Sequence, residues 1–137
     1  MENKEKPYPT QVIKLPDMKL WLVRNNVLKI ILSANSHIEI VKRCGPLLKL
    51  LCWTPGEILF DESIVELVWR CQVGKHEEMV RTIYNLIQEI LPKLPSPMID
   101  SFFDKMQAMP PAQIDEKYVV FVREFTKIAL GKRFQLA

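Results

Sequence analysis

The stretch QVGKHEEMV, residues 72–80, carries the side chains whose types and spacing most resemble a reactive site. A zinc-hydrolase helix places two histidines four residues apart, so that both imidazoles reach one ion, with a glutamate beside the first histidine. His76 and Glu77 meet the first half of that pattern, but position 80 is Val80 and the other histidine, His37, belongs to a different predicted helix. The spacing argues against a zinc-hydrolase site, and we expect His76 to be structural or to face solvent.

The three cysteines, Cys44, Cys52 and Cys71, are the other candidates for chemistry. Each lies in an apolar helical stripe, where burial raises the pKa of a thiol and leaves it unreactive. Their odd number and the lack of a CxxC pair are typical of reduced thiols in an intracellular protein. Spacing alone leaves open a mixed metal site of His76 with these cysteines, although it resembles no zinc module. The four glycines are separated and form no phosphate-binding loop. We therefore predict no catalytic residue, no cofactor and no metal.

The composition indicates a globular helical protein. Of 137 residues, 48% are hydrophobic and 26% charged, and ten prolines accompany only four glycines. The net charge of +3 is spread along the chain, whereas a nucleic-acid-binding protein usually concentrates its basic residues on one face. No apolar run reaches the roughly 18 residues of a membrane span, and the N-terminus has no signal-peptide core. We expect no nucleic-acid or membrane partner and a cytoplasmic location, with the nucleus as the alternative.

Start and stop signals divide the chain into helices, beginning with one from Asp17 to about Leu32. Ser36 and Glu39 have the spacing of a capping box for the next helix. The Gly-Pro pair at 45–46 should kink or break that helix, because proline removes a hydrogen bond and clashes with the preceding turn. The residues expected on the buried faces here are Leu20, Val23, Val27, Leu28, Ile31, Ile38, Val41, Leu48 and Leu51.

The middle of the chain carries equally clear signals. The sequence TPGE at 54–57 predicts a helix start, and Asp61 is placed to cap the helix that follows. Gly74 is placed to end that helix, since glycine enters the left-handed conformation without steric cost. Another helix should run from about His76 to Leu91.

The last two helices follow proline-rich turns. Ser96 is the predicted cap of the first, with Pro97 in its first turn. The second is predicted from about Ala112 to Leu130, with Gly131 ending it. Large aromatic residues in helical stripes usually pack in the core, so we expect this of the three tryptophans rather than a ligand box: Trp21, Trp53 and Trp69.

The apolar positions recur at an offset of 35 residues, which is typical of an α-solenoid. The matched pairs are Ile64/Ile99, Leu67/Phe102, Val68/Phe103, Cys71/Met106, Ile83/Tyr118, Ile87/Val122 and Ile90/Phe125. We predict an all-α fold in which antiparallel helix pairs stack as an armadillo- or HEAT-like segment; an irregular helical bundle is the alternative. The predicted organisation is an N-terminal arm at 1–16, a helical-repeat domain at 17–131 and a tail at 132–137.

Two polar stripes lie opposite the predicted core faces and are the candidate partner-binding residues. The stripes are Arg81, Asn85 and Gln88 on one helix, and Lys117, Arg123 and Lys127 on its repeat counterpart. A face that is merely solvated is the alternative interpretation.

The stretch ESIVELVWRCQVGKHEEMVRTIYNLIQEILPKLPSPMIDSFFDKM, with its string W-x-x-Q-x-G-K-H-E, resembles a known family. It is similar to the long non-catalytic region of the giant, fat-facets-like ubiquitin-specific proteases, and the resemblance covers about residues 36–107. It implies a helical-repeat piece of a large cysteine-type hydrolase, with other proteins or neighbouring repeats as partners. None of the three cysteines stands in the family's catalytic box, so the resemblance implies an active site elsewhere in the parent.

Three hypotheses on function follow. The first is a non-catalytic scaffold segment of a deubiquitinase, and the second is a free-standing armadillo-like adaptor. The third is a small metal-dependent enzyme.

Overall fold

The computed structural model describes residues 15–33, 36–52, 59–73 and 75–136, and across these ranges the chain is helical with no strand. The α helices are α1 Leu15–Arg24, α2 Val27–Ile31, α3 Ile38–Lys42, α4 Gly45–Cys52, α5 Glu62–Arg70, α6 Glu77–Ile90, α7 Ser96–Gln107 and α8 Glu116–Leu136. Short 3₁₀ turns at Leu91–Lys93 and Pro111–Gln113 precede α7 and α8. The predictions for TPGE at 54–57, Trp53 and Gly74 lie outside the described residues. The division into arm, repeat domain and tail stays a prediction.

The helices form two layers. In the first layer, α5 packs between α2 and α7. In the second layer, α6 packs against α3 and α4 on one side and against α8 on the opposite side. The core between the layers is apolar, and its fully buried members include Val41, Leu48, Leu51, Val65, Val68, Ile83, Ile87, Ile90 and Phe102. Stacking of equivalent helices is the arrangement of a solenoid, which confirms the predicted fold class over an irregular bundle.

The predicted boundaries hold best around α5 and α6. Asp61 caps α5, because its Oδ1 accepts hydrogen bonds from the backbone N–H of Ser63 at 3.0 Å and of Ile64 at 3.3 Å. α6 begins at Glu77 with His76 in the N-cap position, as predicted to within a residue. The His76 side chain is exposed and makes no capping hydrogen bond, which confirms the solvent-facing alternative.

The prediction of a single helix from Asp17 to Leu32 is wrong. α1 stops at Arg24, and Asn26 adopts the left-handed conformation with φ of 52°, which asparagine tolerates better than most residues. The break changes the direction of the chain and hence the buried face, so Leu20 and Val23 are exposed. The buried apolar residues of this segment are Leu22, Leu28 and Leu32. Trp21 is 57% exposed, against its predicted core position, whereas Trp69 is buried as predicted.

The predicted capping box at Ser36 is also wrong. His37 is the N-cap of α3, and its Nδ1 accepts a hydrogen bond from the backbone N–H of Glu39 at 3.1 Å. The Ser36 hydroxyl instead donates to the carbonyl of Ile31 at the end of α2, so it joins two helices rather than starting one. The predicted break at the Gly-Pro pair 45–46 is confirmed, since α3 ends before it and α4 begins there.

The two C-terminal helices begin differently from the prediction. Ser96 is the first residue of α7 rather than its cap, because Pro95 holds the N-cap position. α8 starts at Glu116 rather than Ala112, since Pro111 directs the chain into a 3₁₀ turn and Asp115 then caps the helix by accepting the Tyr118 N–H at 2.9 Å.

α8 also runs further than predicted. It continues through Gly131 to Leu136, even though glycine lowers helix stability by about 1 kcal/mol relative to alanine. The Lys132 ammonium donates to the carbonyl of Leu94, which ties the final part of α8 to the turn between α6 and α7. This tertiary contact explains why the glycine does not end the helix.

The predicted 35-residue pairs agree in burial at most positions. The pairs buried on both sides are Ile64/Ile99, Cys71/Met106, Ile83/Tyr118 and Ile90/Phe125. The pair Val68/Phe103 disagrees, because Val68 is fully buried and Phe103 is 45% exposed. In α7 the neighbouring Phe102, which lies 100° away around the helix, is fully buried instead.

The neighbours Phe102 and Phe103 provide a direct test of which face of α7 is buried. We expect Phe102→Ala to lower the free energy of unfolding by about 3–5 kcal/mol, because it empties a fully buried site. Phe103→Ala removes the same atoms from an exposed site and should cost less than about 1 kcal/mol. Urea denaturation of both variants measures the difference; equal losses would contradict the burial of Phe102 and the exposure of Phe103.

Candidate functional site: the groove between α6 and α8

Four of the six predicted partner-binding residues meet in one groove between α6 and α8. Arg81, Asn85 and Gln88 come from α6, and Lys117 comes from the first turn of α8. Arg123 and Lys127 belong to α8 but do not line the groove. The stripes predicted on the two helices therefore meet only in part, because Arg123 and Lys127 lie roughly 120° and 80° around α8 from Lys117.

The floor of the groove is aromatic and apolar. Tyr84 and Phe121 stack with their ring centroids 4.3 Å apart and their planes 12° from parallel. Val120 is 41% exposed at the edge, and Glu116 completes the lining of a cavity of 340 Å³. None of these residues is among the six predicted partner-binding residues. Phe121, three residues after the core residue Tyr118, fits the same apolar stripe and could have been identified from that spacing.

Carboxylates balance the two cations of the groove. Glu77 bridges the helices, with its carboxylate 3.0 Å from Arg81 Nη2 and 3.6 Å from Lys117 Nζ. Lys117 also donates a hydrogen bond to the carboxylate of Asp115 at 2.8 Å. This bond, together with the one from the backbone N–H of Tyr118, lowers the pKa of Asp115. The bond between Lys117 and Asp115 also raises the pKa of Lys117. The groove is therefore polar but close to neutral at its cationic end.

The side-chain amides of Asn85 and Gln88 differ from the two cations because no other group of the described residues pairs with them. Asn85 is exposed and Gln88 half-buried, and within the described ranges neither side chain makes a hydrogen bond. Each primary amide offers two N–H donors and one carbonyl acceptor. Together they present the same donor and acceptor groups as a polypeptide backbone, immediately beside an aromatic floor.

The cysteines have the properties of buried thiols. Burial is the main cause that raises the pKa of Cys44 to about 12, with Cys71 and Glu89 adding to it. Burial likewise raises the pKa of Cys52 to about 11 and that of Cys71 above its ordinary value. Cys71 Sγ lies 3.2 Å from the carbonyl oxygen of Leu32, to which it donates. Cys44 and Cys71 are buried, as predicted for core thiols, whereas Cys52 is only half-buried.

Metal-ligating residues are dispersed. Among the described residues, no three His, Cys, Asp or Glu side chains converge as the ligands of a metal ion would. Across the same part of the chain, no helix has both the length and the apolarity to cross a bilayer.

The stacked helix pairs define an armadillo-like helical repeat. Residues 1–119 match the UBP24/USP9X/USP9Y ARM repeat family, and the chain belongs to that family. The family resemblance of the sequence is thereby confirmed and extends beyond the stretch 36–107.

The relatives are large ubiquitin hydrolases. Ubiquitin carboxyl-terminal hydrolase 9Y of Homo sapiens is 26% identical over 92 residues, which cover 66% of this chain and 4% of that protein. Probable ubiquitin carboxyl-terminal hydrolase FAF of Drosophila melanogaster is 26% identical over 92 residues, covering 66% of this chain and 3% of that protein. Ubiquitin carboxyl-terminal hydrolase 34 of Homo sapiens is 25% identical over 121 residues, covering 85% of this chain and 3% of that protein. The chain thus spans a few per cent of the length of these relatives. No solved structure matches it.

The raised thiol pKa of Cys44 should make stability depend on alkaline pH. The folded pKa of about 12 lies above the ordinary 9.0, so the unfolded chain loses this proton first and the free energy of unfolding falls as pH rises from 9 to 12. One such group accounts for about 1.4 kcal/mol per pH unit at most. Cys44→Ala should reduce this slope in urea denaturation measured at several pH values, and an unchanged slope would show that Cys44 does not contribute.

Proposed function

We propose that this chain is a non-catalytic protein-interaction segment of a large ubiquitin-specific protease, with its partner-binding surface in the groove between α6 and α8. Membership of the ARM repeat family supports the first part, since ARM repeats generally mediate protein interactions. The observation that carries the second part is the pair of unengaged amides, Asn85 and Gln88, in the groove that also exposes the apolar side chain of Val120.

The chemistry of the thiols supports a segment without its own peptidase activity. A cysteine peptidase needs a thiolate, or a thiol that a neighbouring base deprotonates. The pKa values of Cys44 and Cys52 are raised to about 12 and 11, and His76 is exposed at the start of α6.

The cytoplasm is the proposed location, and imaging of the tagged natural polypeptide would test it.

The groove suits an extended polypeptide as its partner. The backbone of such a segment has alternating N–H and C=O groups, which match the donors and acceptor of Asn85 and Gln88. An apolar side chain of the partner would cover Val120, which is 41% exposed above the buried Tyr84–Phe121 stack. Arg81 and Lys117 are already paired with carboxylates, so the match rests on hydrogen bonds and apolar contact rather than on net charge.

Cleavage of a fluorogenic ubiquitin substrate tests the non-catalytic part of the proposal. We expect the 137-residue chain to release fluorophore no faster than the variant in which Cys44, Cys52 and Cys71 are all alanine. Cleavage that this variant abolishes would contradict the proposal. A natural polypeptide without a peptidase domain would also contradict it and would favour the adaptor hypothesis.

The groove is tested with peptides selected on the folded chain from a displayed library. The double variant Asn85→Ala and Gln88→Ala should weaken their binding about tenfold, because each lost hydrogen bond contributes about 0.5–1.5 kcal/mol. The control is Gln107→Ala, which removes an exposed amide on α7 and should leave the affinity unchanged. Equal affinity of the double variant and the parent chain, measured by fluorescence polarisation, would overturn the assignment of the groove.

A further inference from the structure

A second cavity adjoins the groove and shares Tyr84 and Lys117 with it. Its volume is about 660 Å³, and its lining comes mainly from the end of α5, the start of α6 and the connection between α7 and α8. The members of the string W-x-x-Q-x-G-K-H-E that line it are Trp69, Gln72, Lys75 and Glu77. The stretch that carries the family resemblance therefore forms one wall of a cavity as well as the corner between two helices.

Gln72 is the residue of this cavity whose hydrogen bonding is incomplete. It is only 6% exposed, and its side-chain Nε2 is buried with no hydrogen-bond partner among the residues that the structure describes. No other buried side-chain nitrogen or oxygen in that part of the chain lacks a partner. A buried donor that loses water without gaining an acceptor destabilises a protein, so nearly all such groups are hydrogen-bonded. The Gln72 amide thus indicates a position that an acceptor from outside the chain completes.

The charges around the cavity favour an uncharged acceptor. The three lysines that line it all interact with other groups of the protein. Lys105 pairs with Glu66, and Lys117 pairs with Asp115 and Glu77. A carboxylate that entered the cavity would lose its hydration without gaining a cation that still lacks a partner. An amide carbonyl, by contrast, would need only the one hydrogen bond that Gln72 offers.

Apolar side chains border the cavity beside this amide. Val73, the next residue along the chain, is 64% exposed, and Pro110 is exposed on the connection between α7 and α8. Val80 and Met109 are half-buried in the same lining. Ligand sites combine a largely apolar surface with a few placed polar groups. A carbonyl next to an apolar side chain, which is the arrangement in any peptide with an apolar residue, matches this lining.

We propose that this cavity binds an uncharged peptide segment of another protein, whose backbone carbonyl accepts a hydrogen bond from the side-chain amide of Gln72. An apolar side chain of that segment packs against Val73 and Pro110. The last torsion of a glutamine side chain is broad, so the amide turns its N–H toward such a carbonyl without a change of rotamer. The site is separate from the amide pair of the groove, and the inference stands whether or not Asn85 and Gln88 bind a partner.

The dipeptide analogue N-acetyl-leucine N′-methylamide tests the site, because it is uncharged and combines peptide carbonyls with one apolar side chain. We expect it to bind the 137-residue chain with a dissociation constant of about 1–10 mM, the range for a ligand of this size. In ¹⁵N–¹H NMR titrations the side-chain amide signals of Gln72 and the backbone amide of Val73 should shift and saturate together. Absence of a saturable shift at these two residues would overturn the proposal without the use of any variant.

The variant Gln72→Met keeps the length of the side chain but removes both donors. It should weaken binding of the analogue about three- to tenfold, the effect of losing one hydrogen bond, as followed on the Val73 backbone amide. It should also raise the urea midpoint of the chain without ligand, since it removes a buried donor that has no acceptor. The matched control is Gln107→Met, which changes an exposed amide of α7 outside the cavity and should leave the affinity unchanged.

Two further outcomes would contradict the assignment. A lower urea midpoint of Gln72→Met with unchanged affinity would show that the amide has only a structural role. Tighter binding of N-acetyl-leucine, which ends in a carboxylate, than of its methylamide would show that the cavity selects an anion. Either result would leave the groove between α6 and α8 unaffected, because that groove is tested with different variants and different peptides.

Discussion

The aromatic contact of Phe121 with Trp69 and Tyr84 is the interaction on which the rest of the structure depends. It joins α8 to both helices of the preceding pair and thereby sets the distance between α6 and α8. Phe125 and Tyr118 contact the same ring from within α8, with centroids 5.9 Å and 6.4 Å away. Aromatic pairs in tilted and offset arrangements contribute beyond the area they bury, so this cluster favours one spacing of the helices over others.

The groove is a consequence of that spacing. Tyr84 and Phe121 form its floor because they are the contact between the helices, while the rim consists of polar residues that the contact leaves outside the core. Glu77 limits how far the helices separate at one end, through its ion pairs with Arg81 and Lys117. Such exposed pairs contribute little to stability, so the aromatic contact determines the geometry and the ion pairs adjust the charge.

The fold class and the α5–α6 region were predictable because local signals determine them. An Asp cap, helical spacing of apolar residues and the family string around His76 all lie within a few residues of the elements they specify. The predictions failed where a distant contact overrides a local one. Gly131 would end an isolated helix, but Lys132 bonds to the carbonyl of Leu94, and the helix continues. The cap at His37 is a local exception, because its Nδ1 accepts a hydrogen bond from the backbone N–H of Glu39, only two residues away.

The sequence by itself determined that this protein is all-α, that its helices repeat, and that its thiols sit among apolar neighbours, since each of these follows from residue type and periodicity along one helix. Only the tertiary structure decided which of two adjacent phenylalanines on α7 is buried. Phe102 and Phe103 are identical in type and lie 100° apart around the helix, and the packing of α7 covers Phe102 while it leaves Phe103 45% exposed. It also decided which polar residues meet, because Asn85, Gln88 and Lys117 share a groove only once α6 and α8 are packed side by side.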